Sequence, residues 1–157
     1  MSSLESRVED LERRVADIAD REAIRDLTCR YCQDIQRGDA DAVGALFCDD
    51  GCMESDALPA LGRPASVIRG RDELLRVYRE TLGDFTPKPF IHNHVIELDG
   101  ERARGVCSVE IRAVQEGTAY NVAGHYEDAY RRECGEWRFE RRRFVVYHWV
   151  PATEGWA

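Results

Sequence analysis

Residues 90–117, FIHNHVIELDGERARGVCSVEIRAVQEG, predict two long strands and the turns that end them. Apolar residues alternate with polar ones over much of Phe90–Leu98 and Ala103–Val114. Asp99-Gly100 is a pair typical of two-residue hairpin turns, and Gln115-Glu116-Gly117 predicts a second turn. Because strands joined by such short turns pair antiparallel, this stretch predicts the middle of an antiparallel sheet.

The flanking sequence extends this sheet downstream and supplies helices upstream. Two further strands are predicted at Ala119–Arg132 and Trp137–Val150, and a short one at Cys52–Ser55. Before them, periodic apolar residues predict a long helix over Ser2–Gln36 and another helix over Arg71–Leu82. Between these two, a short helix carries Ala42, Val43, Leu46 and Phe47, and Asp56–Arg69 is predicted to be a loop. Three helices followed by a long meander predict an α+β fold in which a curved antiparallel sheet wraps the helices.

The first 20 residues form a charged helical extension of what we expect to be one domain over residues 1–157. Their apolar residues follow a 4-3-4-3 spacing, which predicts one stripe on a polar rod. The stripe consists of Leu4, Val8, Leu11, Val15 and Ile18, and we expect it to continue through Ala23, Ile24 and Leu27 to Tyr31. The first turns are too polar for a core, so the stripe is expected to pack on a neighbour or a dimer partner.

Composition argues against several classes of function. The chain has 22 Lys and Arg against 30 Asp and Glu, a net charge of −8, which disfavours nucleic-acid binding. The short basic run Arg141–Arg143 is expected to decorate an exposed strand face. No apolar run is long enough for a membrane helix, and the charged start of the chain lacks a signal-peptide core. We therefore expect a cytoplasmic protein with no membrane partner.

Six cysteines raise the question of a zinc site. Cys29-x-x-Cys32 and Cys48-x-x-x-Cys52 have suitable spacings, but the first pair falls in a strongly helical stretch. Reduced thiols that fill small core spaces are the favoured interpretation.

Several blocks together resemble the SnoaL-like branch of the nuclear transport factor 2-like superfamily. Arg21–Tyr31, Gly38-Asp39 and Asp49-Asp50-Gly51 resemble its helical opening, and Gly124–Asp128 and Gly135–Arg141 resemble its sheet. The resemblance implies a cone-shaped fold around one small-molecule pocket, no cofactor, and a homodimer whose sheets pair back to back. It is nearest to the dehydratase and dehydrochlorinase group.

That group uses a histidine base, an aspartate that orients it, and often a tyrosine acid. The resemblance places the pocket tyrosine at Tyr31 and implies a carboxylate at the position of Gln36 and a histidine at the position of Pro89. Because neither residue type is present there, Asp34 is the candidate acid instead. It lies three residues after Tyr31, about 60° away on a helix.

The strand around Asn93 supplies candidate bases. His92 and His94 are expected to share a face, since side chains alternate along a strand. His92 is then the candidate base and His94 a substrate ligand, while His125 is expected to assist from a neighbouring strand. Asn93, Gln36, Phe47 and Trp149 complete the predicted substrate-binding set. A zinc or iron site made of the three histidines is geometrically possible, but the resemblance implies none.

The leading functional hypothesis is a cofactor-independent lyase or isomerase, dehydratase-like, that acts on a small apolar ring compound. The alternatives are a non-catalytic ligand-binding module or accessory subunit, and a polyketide-type cyclase with a wider pocket. Inward histidines near Tyr31 would favour the enzyme, and outward ones the module.

Overall fold

The computed structural model describes residues 3–58 and 64–154, and the fold is α+β, with helices packed on a curved, open sheet. Its elements, in chain order, are α1 Leu4–Arg37, α2 Ala40–Ala45, β1 Phe47–Ser55, β2 Ser66–Arg69, α3 Arg71–Asp84, β3 Phe85–Asp99, β4 Arg102–Gln115, β5 Thr118–Glu133 and β6 Glu136–Pro151. None of the helices in these two ranges is long and apolar enough to cross a membrane.

The sheet has six strands in the order β2-β1-β6-β5-β4-β3. The four strands of the meander pair antiparallel with their neighbours, as predicted. The first strand joins the other edge of the meander in parallel with β6 and antiparallel with β2. The parallel pairing was not predicted, because it joins segments that lie far apart in the sequence.

The first helix is the longest element, 34 residues or about 50 Å. The Ser3 side chain caps its start, and Gly38 ends it in the left-handed conformation at φ 72°. Its second half packs on the sheet through Ile24, Leu27 and Tyr31, among others, whereas the first half stays exposed.

The prediction of one continuous stripe along this helix is wrong. The step from Ile18 to Ile24 breaks the 4-3 spacing and turns the apolar residues to the other side. Ala23 is exposed, while Ile24 is completely buried. The helix therefore has two separate apolar faces, one exposed and one in the core.

Two boundaries also differ from the prediction. Phe47, expected at the end of the second helix, begins β1. The predicted loop Asp56–Arg69 contains β2, whose pairing with β1 no local pattern indicates. Pro59 and Gly62, on which the loop prediction rested, lie outside the described residues.

A bulge interrupts β3 beside β4. His92 pairs with Ser108 and Val95 with Val106, so three steps along β3 match two along β4. Asn93 holds the bulge at φ 51°, a left-handed conformation that asparagine tolerates better than most residues. The bulge shifts the inner-facing set from Pro87, Pro89 and Ile91 before it to His94 and Ile96 after it.

Candidate functional site

A cavity of about 220 Å³ lies between α1, α3 and the inner face of the sheet. Most of its wall is apolar, and Ile35, Ile111 and Phe144 are typical members. Of the described residues, no histidine, aspartate or glutamate lines it. Such a space suits a small apolar molecule, because a dry cavity of about 150 Å³ is large enough to hold benzene.

Two tyrosine hydroxyl groups meet at the wall of this cavity. Tyr31 comes from the buried face of α1 and Tyr78 from α3, and their oxygen atoms lie 3.0 Å apart. One hydroxyl hydrogen serves this mutual bond, which leaves the other free for a ligand oxygen. Tyr126 of β5 also lines the cavity and packs edge-on against the Tyr31 ring.

A buried ion pair lies behind these rings. Arg142 and Asp128 are 4% exposed or less. Arg142 Nη2 donates a hydrogen bond of 3.2 Å to Asp128 Oδ2, and Arg142 Nε lies 3.2 Å from Asp128 Oδ1 as an ion-pair contact without hydrogen-bond geometry. The Arg142 guanidinium lies 4.2 Å from the centre of the Tyr31 ring and 3.7 Å from that of Tyr126. The two rings lie nearly perpendicular to each other, and these cation–π contacts fix both of them at the cavity wall.

The hydroxyl groups of the cavity are neutral donors at physiological pH. Burial raises the pKa of Tyr31, and the positive charge of Arg142 only partly opposes this effect. Burial likewise raises the pKa values of Tyr78 and Tyr126 well above their ordinary value. These side chains can therefore donate a hydrogen bond to a carbonyl or phenol oxygen, but they do not act as phenolate bases.

The positions at which the resemblance implies a carboxylate and a histidine contact each other. The Gln36 side chain donates a hydrogen bond of 2.8 Å to the carbonyl oxygen of Pro89. Lys88 donates to the backbone carbonyl of Gln36 from the same strand. The contact ties α1 to β3 at the cavity wall, where an amide and a proline replace groups able to exchange a proton.

Asp34, the candidate acid, lies outside the cavity lining. It is buried, but its carboxylate forms an ion pair with Arg37 on the next turn of α1. Its backbone carbonyl accepts hydrogen bonds at the end of the helix.

The prediction that His92 and His94 share a face is wrong. His92 is exposed, whereas His94 points inward, because the bulge at Asn93 adds one residue between them. His125 lies on the outer face, where its Nδ1 atom is 2.8 Å from the Tyr147 hydroxyl and its Nε2 atom 3.5 Å from Glu127. No histidine therefore meets Tyr31 in the cavity within the described part of the chain.

His94 belongs instead to a buried hydrogen-bonded chain. Its Nε2 atom lies 3.1 Å from the Tyr130 hydroxyl, which donates to Asp128 at 2.9 Å. Since that hydroxyl has one hydrogen, His94 donates from Nε2. Burial lowers the pKa of His94 to about 4, so the ring is neutral at physiological pH. Burial raises the pKa of Asp128 to about 6, against the opposing effect of Arg142.

The remaining predicted substrate-binding residues divide between core, surface and cavity. Phe47 is completely buried in the core and Asn93 is exposed at the bulge, and neither lines the cavity. Trp149 does line it, stacked on Phe85. Tyr78 was missed as a site residue, although its position on the apolar side of the third helix was the signal that could have found it.

The cysteines lie apart from any cluster of metal ligands: in the described ranges, no group of three or more candidate ligand residues lies close enough to hold a metal ion. Cys29 is exposed and Cys32 buried on the same helix. Burial raises the pKa of Cys32 to about 11 and that of Cys107 to about 12, so both remain thiols.

The sequence of residues 16–143 matches the SnoaL-like domain. The chain belongs to the SnoaL-like family. No protein of curated function matches it. This membership accounts for the cone of helices and sheet around a cavity, but the family name leaves the chemistry of the cavity open.

Solved structures agree on the fold. LinA is 20% identical over 90% of this chain and 92% of its own, with a TM-score of 0.75. A Novosphingobium aromaticivorans protein, provisionally named a scytalone dehydratase, is 20% identical over 85% of this chain and 88% of its own, with a TM-score of 0.72. A second Novosphingobium aromaticivorans protein, described as nuclear transport factor 2-like with a cystatin-like fold, is 23% identical over 94% of this chain and 92% of its own, with a TM-score of 0.70.

Proposed function

We propose that this SnoaL-like protein binds a small, largely apolar ring compound that carries a carbonyl or phenol oxygen. The observation that carries the proposal is the pair of hydroxyl groups, Tyr31 and Tyr78, which meet at the wall of a mostly apolar cavity. In such cavities apolar contacts supply most of the affinity, and a few polar groups fix the orientation of the ligand.

The size of the cavity favours a single ring. Its volume of about 220 Å³ lies below the roughly 300–1,000 Å³ that is usual for drug-sized ligands. This argues against the polyketide-type cyclase, which needs room for several fused rings. A monocyclic phenol or ketone fills the space and places its oxygen near the tyrosine pair.

The Gln36–Pro89 contact favours binding over proton abstraction. An elimination or isomerisation needs a group that removes a proton, and neither side chain of this contact titrates. With His92 and His125 on the outer face, the cavity has hydrogen-bond donors and no base among its described residues.

Calorimetric titration with phenol, cyclohexanone and toluene tests the proposal, because it measures the affinity for each compound. We expect Tyr31→Phe and Tyr78→Phe each to weaken the binding of phenol and cyclohexanone about fivefold, since one hydrogen bond contributes roughly 1 kcal/mol. Toluene has no oxygen and should bind equally to all three proteins. Equal losses for toluene, or no binding of any ring compound, would contradict the proposal.

A cofactor-independent lyase or isomerase is the second candidate. Two structural neighbours are named as LinA hexachlorocyclohexane dehydrochlorinase and, provisionally, scytalone dehydratase. In this chain Tyr31 would be the acid or oxyanion donor. Deuterium exchange into cyclohexanone in heavy water tests for carbon-proton abstraction without knowledge of the substrate. Exchange that the wild type accelerates and Tyr31→Phe abolishes would establish the enzyme and reject a purely binding role.

A further inference from the structure

The first half of α1 carries an apolar row that the described part of the chain, residues 3–58 and 64–154, leaves uncovered. Its members are 44–75% exposed, and they are Leu4, Val8, Leu11, Val15 and Ile18. The helix meets the rest of the fold at Asp20, which contacts Arg132 and Trp137. Residues 4–19 therefore extend as a rod of about 24 Å.

The residue types in this row match one kind of partner. The 4-3-4-3 spacing places valine at the first core position of each heptad, at Val8 and Val15, and leucine or isoleucine at the second. β-Branched residues at the first position with leucine at the second favour two-stranded parallel coiled coils. The row therefore matches a second copy of the same helix.

The charges beside the row select the parallel orientation. Glu5 and Glu12 flank it on one side, and Arg7 and Arg14 on the other. In a parallel pair, Arg7 of one copy faces Glu12 of a second copy, and the same contact occurs twice by symmetry. In an antiparallel pair, arginine would face arginine and glutamate would face glutamate.

The position of the row leaves space for a partner. At 100° per residue, its centre lies about 180° from the face that Ile24, Leu27, Tyr31 and Ile35 turn to the sheet. A second helix therefore approaches from the side opposite the chain's own sheet. The helix is already nucleated by its packed half, so association does not bear the cost of forming it.

We propose that residues 4–19 of two copies form a parallel, two-stranded coiled coil that makes this protein a homodimer. The two cavities then lie on the outer sides of the pair. This arrangement differs from a dimer that pairs the outer faces of the sheets.

Light scattering of the full-length protein at micromolar concentration tests the interface. We expect the wild type at twice 18.0 kDa and Leu11→Glu at 18.0 kDa. The matched control is Ala16→Glu, which adds the same side chain about 120° away from the row and should leave the dimer intact. Circular dichroism confirms that both variants fold. A monomeric wild type, or a dimer that Leu11→Glu does not dissociate, would overturn the proposal.

Charge exchange tests the orientation. Arg7→Glu and Glu12→Arg each place like charges opposite each other in the parallel pair, and we expect each to raise the dissociation constant about tenfold. The double variant Arg7→Glu/Glu12→Arg restores opposite charges and should return the constant to the wild-type value. Tighter association of a single variant would show an antiparallel pair and overturn the parallel arrangement.

Discussion

Arg142 shows how one residue can join the core to the cavity. Its charge is neutralised by Asp128 and its flat guanidinium group is covered by aromatic rings, so it remains fully buried. From the sequence, Arg141–Arg143 was expected to lie on an exposed face. That expectation is wrong for the middle residue. A register shift between Phe139 and Arg141 changes the phase of β6, so Arg142 turns inward while Arg141 and Arg143 remain partly exposed.

The first prediction concerns this buried pair. Arg142→Met leaves the Asp128 carboxylate buried without its cation, and we expect a loss of about 3–5 kcal/mol in the free energy of unfolding at neutral pH. Adding Asp128→Asn should recover part of the loss. Urea unfolding measures both effects.

Arg143 provides the matched control, because it pairs with Glu127 and Asp56 at the surface. Arg143→Met should change the free energy of unfolding by about 1 kcal/mol or less. A similar loss in both single variants would show that burial of Arg142 has no special importance.

Helices and strands that depend on local sequence patterns could be predicted from the sequence. The helices follow from their periodicity, and β3–β6 follow from alternation and turn pairs such as Asp99-Gly100. The parallel β1–β6 pairing and the short β2 depend on contacts between distant segments, which no local pattern records. The shared face of His92 and His94 was mispredicted, and His92 points outward, because period-two counting does not anticipate a bulge.

The candidate site could be predicted in part for the same reason. Tyr31 and Trp149 were placed at the cavity, where they lie. The contribution of Tyr78 was missed, because its hydroxyl meets that of Tyr31 only through the packing of α3 on α1 and the sheet.

The close fit of β4 on β3 and β5 supports a second prediction. A β-carbon at Gly105 would lie 3.0 Å from His94 Nε2 and 3.0 Å from the Tyr130 hydroxyl oxygen. Gly105→Ala should therefore destabilise the protein by about 1–3 kcal/mol, the usual cost of overpacking.

Gly83→Ala is the control substitution, since a β-carbon there meets no atom within 4 Å in the exposed last turn of α3. It should stabilise the protein by about 0.5–1 kcal/mol through helix propensity. Thermal unfolding of both variants checks the pair of values, and destabilisation by both would show that the effect at Gly105 is not steric.

At the scale of the whole molecule, the buried chain of hydrogen bonds influences how stability depends on pH. The folded state holds His94 neutral down to a pKa of about 4, against 6.5 when unfolded. Its contribution to stability is thus complete above pH 6.5 and is lost as the pH falls towards 4. Asp128 has its pKa raised from 3.8 to about 6, so its contribution is complete below 3.8 and is lost as the pH rises through 6.

The two contributions oppose each other between pH 4 and 6. We expect His94→Gln to make stability rise on acidification relative to the wild type across this window, and Asp128→Asn to make it fall more steeply. Urea unfolding at several pH values measures these slopes, and other carboxylates cancel in the comparison. Parallel curves for all three proteins would contradict the assigned pKa directions.

The bulge at Asn93 has a consequence for comparisons between this chain and its relatives. In β3, the edge strand of the sheet, the bulge accommodates one extra residue at the surface, and Ile91, His94 and Ile96 all keep their places on the inner face. A relative without the extra residue matches β3 position by position only as far as Asn93. Beyond that point the residue numbers of the two chains differ by one. A functional role transferred from the relative by position must therefore be realigned from His94 onward.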